Sequence, residues 1–156
     1  MAKGYRIRWD DSATAGENAR LKLPALVERY FEDGRRLMGS DASADALHRF
    51  RLKTKRVRYT LEFFRVWYGP GLVERLASMR KLQDFLGELS DCATAQALAE
   101  EALPGNSPDR SKVEKYLTER AKKQTAAFQR YWRQVFDKPG EQRRWLNYLA
   151  RPLAPK

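Results

Sequence analysis

Apolar residues recur along this chain at intervals of three and four, the spacing of amphipathic helices, and strand-like alternation appears only briefly, in "YRIRW" at 5–9. A first helix is predicted from about Glu17 to Met38, with Leu23, Leu26, Val27, Tyr30, Phe31 and Leu37 on one side and Pro24 inside it as a candidate kink. Gly39-Ser40-Asp41 breaks the pattern. The second helix begins near Ser43 or Ala44, buries Phe50, Val57, Leu61 and Phe64, and ends at Trp67-Tyr68 before a Gly69-Pro70-Gly71 turn. A third starts near Leu72 with the stripe Leu76, Met79, Leu82, Phe85, Leu86 and Leu89; Ser90-Asp91 either caps a continuation of it or bends it. Beyond the loop "PGNSPD", a fourth helix spans about Asp109 to Phe136, with Val113, Tyr116, Leu117, Phe128, Tyr131, Val135 and Phe136 toward the core. Lys138-Pro139-Gly140 stops it, and "EQRRWLNYLA" forms a short closing helix.

The expected fold class is therefore all-α: an antiparallel four-helix bundle with a short extra C-terminal helix, in a single domain over 1–156. Residues 1–16 are expected as an extended lead-in packing Ile7 or Trp9 onto the bundle, 17–137 as the bundle and 140–150 as the short helix. An apolar content of 42% excludes a wholly disordered chain. No apolar run approaches the ~18 residues of a membrane-spanning helix, so no membrane partner is expected. The start, "MAKGYRIRWDD", has no apolar core of a secretory signal, and Cys92 alone permits neither an internal disulfide nor a cysteine-based zinc site. A cytoplasmic location follows as the default.

Charge changes this picture. The net charge is +11, and it is segregated: residues 41–70 carry +4, 71–104 carry −3 and 109–156 carry +8. A soluble surface ordinarily interleaves both signs, and segregation of this kind points to a polyanionic partner. The densest stretch, "LHRFRLKTKRVRYTLEFF", holds six Lys or Arg between His48 and Arg58, no acidic residue there, and the chain's single histidine. At 100° per residue His48, Arg51, Lys55 and Arg58 form one line up three turns, opposite the core stripe, with Glu62 one turn further in the same sector. Arg49, Lys53 and Arg56 fall in a second sector. On the fourth helix Lys112, Lys115, Lys122, Lys123, Arg130 and Arg133 share an arc of about 100°. One such face on its own is ordinarily just solvated. Two of them side by side would line a positive groove. Like charges at helical spacing cost about 0.2–0.5 kcal/mol per pair, a cost that an external polyanion reverses.

These residues also carry a resemblance. "LHRFRLKTKRVRYTLEFF" followed by "MRKLQDFLGELSDC" resembles the CHAD domain, an α-helical family whose pattern places basic residues at +3, +7, +8 and +10 from a histidine. Here those are His48, Arg51, Lys55, Arg56 and Arg58; "KLQDFLGELSD" departs from the family pattern at Ser90, where Asn is usual. The likeness is close over about 17–103. It implies a non-enzymatic protein that binds inorganic polyphosphate through His48, Arg51, Lys55, Arg56 and Arg58, with Arg80 or Lys81 from the third helix. The fourth-helix cations Lys112, Lys115, Lys122, Lys123, Arg130 and Arg133 are added from the helical wheel, not from the motif. Family members usually hold two bundles about a pseudo-twofold axis, whereas this chain shows one; either one bundle suffices, or a homodimer restores the pair. The resemblance implies a location in the cytoplasm or on polyphosphate granules. The alternative function is a sequence-independent nucleic-acid-binding helical module, expected to be the weaker fit.

No catalytic residue, metal or cofactor is expected. His48 has Arg51, Leu52 and Lys55 as its helical neighbours, none of them a metal ligand, and a purely structural role for it is the rival to ligand contact. Cys92 reads as core. Asp84 and Asp91 are expected to orient Arg56 or Arg49 through ion pairs, and Gly87 is expected to mark a close helix approach. Trp132, Trp145 and Tyr148 are expected to pack, with stacking on bases as the alternative.

Overall fold

The computed structural model describes residues 5–153. Five α-helices follow in order: α1 (Ala15–Met38), α2 (Ala44–Phe63), α3 (Pro70–Ala102), α4 (Pro108–Tyr131) and α5 (Glu141–Leu149). The chain is all-α among the described residues, as the apolar spacing predicts.

Local chemistry sets each helix start. Thr14 and Glu17 form a reciprocal capping box: Glu17 N–H donates to Thr14 Oγ1 at 3.2 Å, and Thr14 N–H to Glu17 Oε2 at 2.8 Å. Ser43 caps α2 by accepting Ala46 N–H at 3.1 Å. Pro70 and Pro108 open α3 and α4, where a missing N–H costs nothing. Gly140, at φ 89°, turns the chain into α5, and this left-handed backbone is where a glycine is required.

Three boundaries differ from the sequence reading. α2 stops at Phe63, and a 3-10 turn over Arg65–Trp67 takes up what was expected as its last turn. α3 starts at Pro70 and runs unbroken for 33 residues, so Ser90-Asp91 is an ordinary part of it. α4 ends at Tyr131, and Trp132–Phe136 form a π turn closed by Asp137 N–H on Trp132 C=O at 2.7 Å. Arg35 fixes that turn to α1 with a two-pronged fork on Asp137, at 2.8 Å and 2.7 Å.

The core is a run of stacked and edge-on rings. Tyr30, Phe31, Phe50, Phe128, Trp132, Phe136 and Trp145 meet across α1, α2, α4, the π turn and α5. Trp132 and Trp145 are thus packing residues, and Tyr148 stacks on Tyr68. Thr54 donates to Phe50 C=O at 2.8 Å, which leaves its oxygen to accept the buried Tyr30 hydroxyl at 2.7 Å. The π turn advances the register. Trp132 and Phe136 point inward, and Val135, expected in the core, is exposed. Val113 and Tyr116 are also exposed, as α4 packs chiefly on α3.

Residues 1–4 of the expected lead-in lie outside the described residues. In the rest, Tyr5 is the deeply buried residue, under the cations of Arg29 and Lys53 and donating its hydroxyl to Asp33. Ile7 is partly buried against the core, and Trp9 rests on Phe64 while staying exposed. The C-terminal segment docks on the α2–α3 connection. Tyr68 donates to Leu149 C=O at 2.8 Å, Tyr148 to Gly69 C=O at 3.0 Å, and Leu153 N–H to Trp67 C=O at 2.7 Å.

Candidate functional site

α3 packs along both α2 and α4 and the two basic helices are not side by side, so the condition for a groove shared between them is not met. They meet through core rings such as Phe50 and Phe128. The positive residues fall instead along the seam between α2 and α3. His48 and Arg58 lie ten residues apart on α2, about 15 Å along its axis. Arg51 and Lys55 sit between them, partly buried. At 100° per residue Arg80, Gln83 and Gly87 border the same seam from α3.

The seam is not uniformly uncompensated. Arg58 is buried, with its Nε donating to Gln83 Oε1 at 2.9 Å and its Nη1 to Glu62 Oε2 at 3.1 Å. Its guanidinium lies over the Tyr59 ring, 4.5 Å from the centroid. Arg80 reaches the other oxygen of Glu62 at 3.2 Å. The repulsion expected to be relieved by an external polyanion is therefore relieved within the fold at Arg58, because Glu62 stands one helical turn away, and Arg80 of α3 shares that acid. That spacing was legible; the arms of Gln83 and Arg80 from a second helix were not. Lys53 is also neutralised, 3.1 Å from Asp33.

The remaining α2 cations differ. Arg49, Arg51, Lys55 and Arg56 make no ion pair among the described residues. Arg51 Nε is buried and has no hydrogen-bond acceptor. The acids expected to orient Arg56 or Arg49 are not engaged: Asp84 and Asp91 are exposed, rotated outward on α3 from Gln83. Lys81 is also displaced from the seam, because one residue is 100° of rotation. It lies over the Phe85 ring, which packs on Tyr131 of α4. Arg80, not Lys81, is the α3 cation at the seam.

At its His48 end the seam opens into a groove of about 700 Å³ where α1 and α2 terminate and α3 and α4 continue. Its walls are mostly small or apolar, including Ala93, Ala97, Leu86, Leu89 and Cys92, and Lys122 stands at its rim with His48. Cys92 is buried in that wall, as expected for a core residue. The α4 stripe disperses. Lys112, Lys115, Lys123 and Arg130 are exposed without ion pairs among the described residues, and of the α4 cations Lys122 alone lines this groove. Lys112 is ten residues from Lys122, about 15 Å along the helix. Arg133 is removed from the stripe by the π turn and donates to Met38 C=O at 3.1 Å, closing the C-terminal end of α1.

Gly87 has no close neighbour: a Cβ built there meets nothing within 4 Å. The expected close helix approach belongs instead to Gly34, beneath Trp132.

Among the described residues no three His, Cys, Asp or Glu side chains are grouped to hold a metal, and no helix is long and apolar enough to cross a membrane. No curated protein matches the chain, and no solved structure does. A family model described as the CHAD domain matches residues 6–100, a span that takes in α1, α2, the seam and nearly all of α3. With that match covering more than half of its length, and the His48 to Asp91 residues in place, the chain belongs to the CHAD domain family.

Proposed function

We propose that this protein binds inorganic polyphosphate along the α2–α3 seam, without turning it over. The observation that carries the reading is the state of Arg51 and Lys55. Both side chains are partly buried on the flank of α2 that carries Arg58 to α3, and neither has an ion-pair partner among the described residues. Cations left without an internal anion on one partly solvated flank favour an anion from outside. Phosphate oxygens fit: Arg offers a fork, Lys a point charge and His48 one hydrogen bond at the groove mouth. Neutralising several phosphates releases counterions, so affinity falls steeply with salt. Among the described residues the seam and its groove carry Glu62 and Asp45, 17 residues apart on α2 and about 25 Å along its axis, and no three metal-binding side chains are grouped, which supports binding without turnover. On this reading the protein meets its ligand in the cytoplasm or on polyphosphate granules.

The test is a titration with long-chain polyphosphate in the presence of excess DNA and RNA at matched salt, followed by incubation with divalent metal while free phosphate is measured. Retained binding with no phosphate release supports the reading. Ready displacement by nucleic acid favours a nucleic-acid-binding module, and released phosphate makes it an enzyme.

We further propose that two chains pair. α3 outruns α2 by 13 residues, about 20 Å, and the α3–α4 hairpin beyond the bundle leaves Leu98 and Tyr116 exposed. Light scattering that gives a monomer mass, with polyphosphate binding intact, would show that one bundle suffices.

A further inference from the structure

One acid stands inside the basic face, and its geometry is that of a bound anion. Glu62 Oε2 accepts from Arg58 at 3.1 Å and Oε1 from Arg80 at 3.2 Å, so each oxygen is held by a guanidinium from a different helix. The three side chains differ in freedom. Arg58 is 10% exposed and held by Gln83 and the Tyr59 ring, Glu62 is 33% exposed, and Arg80 is 58% exposed. Arg58 is thus fixed, while Glu62 can swing toward solvent by a rotamer change. One N–H from each of two guanidiniums, arriving from two helices on one pair of oxygens, is also an arrangement that can receive a phosphate group.

We propose that Glu62 is a resident competing anion that sets the minimum length of ligand the seam accepts; this rests on the polyphosphate reading of the same face. A tethered carboxylate acts at a millimolar effective concentration, which a free orthophosphate or a short chain has to overcome from bulk solution. A long chain is on different terms. Once phosphates are held at Arg51 and Lys55, the next units are themselves tethered about 10 Å or less from Arg58, and they displace Glu62 intramolecularly. Arg58 and Arg80 then exchange one anion for another, and Glu62 turns outward. The acid that looks like a flaw in a phosphate-binding face acts as its length filter.

The experiment compares wild type with Glu62→Gln, which keeps the shape and removes the charge. Binding of orthophosphate, tripolyphosphate and long-chain polyphosphate is titrated at one salt concentration, with circular dichroism to follow folding. The expected result is tripolyphosphate binding about two- to tenfold tighter in the variant, the size of two part-exposed ion pairs. Long-chain binding tightens by a smaller factor, and the preference for long chains narrows. If Glu62→Gln fails to fold, Glu62→Asp withdraws the carboxylate by one methylene and is expected to shift tripolyphosphate binding in the same direction. Tripolyphosphate binding that is unchanged or weaker in the folded variant overturns the proposal and makes Glu62 a residue that positions Arg58 and Arg80. A wild type that binds no polyphosphate of any length overturns the functional reading and this inference together. A wild type that binds, beside a variant that does not differ, overturns this inference alone.

Discussion

Gly34 of α1 lies directly beneath the indole of Trp132, and a Cβ on Gly34 would overlap the ring atoms Cη2, Cζ2 and Cζ3. Trp132 is 1% exposed and wedged among Tyr30, Phe31, Phe50 and Phe136, so the ring has nowhere to go. Gly34→Ala is expected to destabilise the bundle by about 1–3 kcal/mol, the usual cost of overpacking a closed core. A fall in the urea midpoint checks it, and an unchanged midpoint would mean the π turn yields easily.

Gly87 is expected to behave in the opposite way. It lies inside α3 with open space where a Cβ would go, so nothing offsets the flexibility of glycine in the unfolded chain. Gly87→Ala should raise stability by roughly 0.5–1 kcal/mol. The same urea titration reads it, and a loss of stability would show an unseen constraint at the seam.

Arg58 and Arg51 separate two roles that look alike on the helical wheel. Arg58 is built into the fold by Gln83, Glu62 and the Tyr59 ring, so Arg58→Ala is expected to cost about 1–3 kcal/mol of stability as well as affinity. Arg51→Ala removes an unsatisfied donor, so it should weaken polyphosphate binding while leaving the melting curve near wild type. Equal stability losses in the two variants would contradict this division. Val57→Asp, at a position with no exposure, is the unfolding control.

The N-terminal segment should come loose in acid. Burial alone raises the Asp33 carboxyl, but hydrogen bonds from Tyr5 and Lys53 outweigh it and hold the group below its ordinary value of 3.8. A depressed carboxylate stabilises the fold above its unfolded pKa, and that contribution is lost as pH falls through the lower, folded value. Asp33→Asn is therefore expected to cost roughly 1–3 kcal/mol at neutral pH, with wild type and variant converging below about pH 3.8. Paired denaturation curves across that range decide it; a constant gap would exclude the carboxylate as the cause.

Helix number, order and most of the core were legible because burial on a helix repeats with its turn, and Leu23 through Leu89 follow that period. What escaped depended on departures from 3.6 residues per turn or on second partners. The π turn at Trp132–Phe136 shifts the register by part of a turn, and this turned Val135 outward and gave Arg133 to the end of α1. A wheel drawn for one helix carries no neighbour. It therefore leaves open whether α2 and α4 adjoin; α3 packs along both, and the two meet through core rings. The resemblance implies Arg80 or Lys81, and Arg80 is the one that reaches Glu62 at the seam. The line His48, Arg51, Lys55 and Arg58 was visible as a line. That Arg58 belongs to the fold while Arg51 remains open depends on Gln83 and Glu62 arriving at one and not the other.

The salt dependence of long-chain polyphosphate binding, measured for wild type and for Arg51→Ala combined with Lys55→Ala, tests the seam most directly. If the two cations receive phosphate, the plot of log affinity against log salt should flatten by about two, one for each contact removed, with helical content unchanged. Equal affinity and equal slope in a folded double variant would place the polyanion elsewhere or nowhere on this protein.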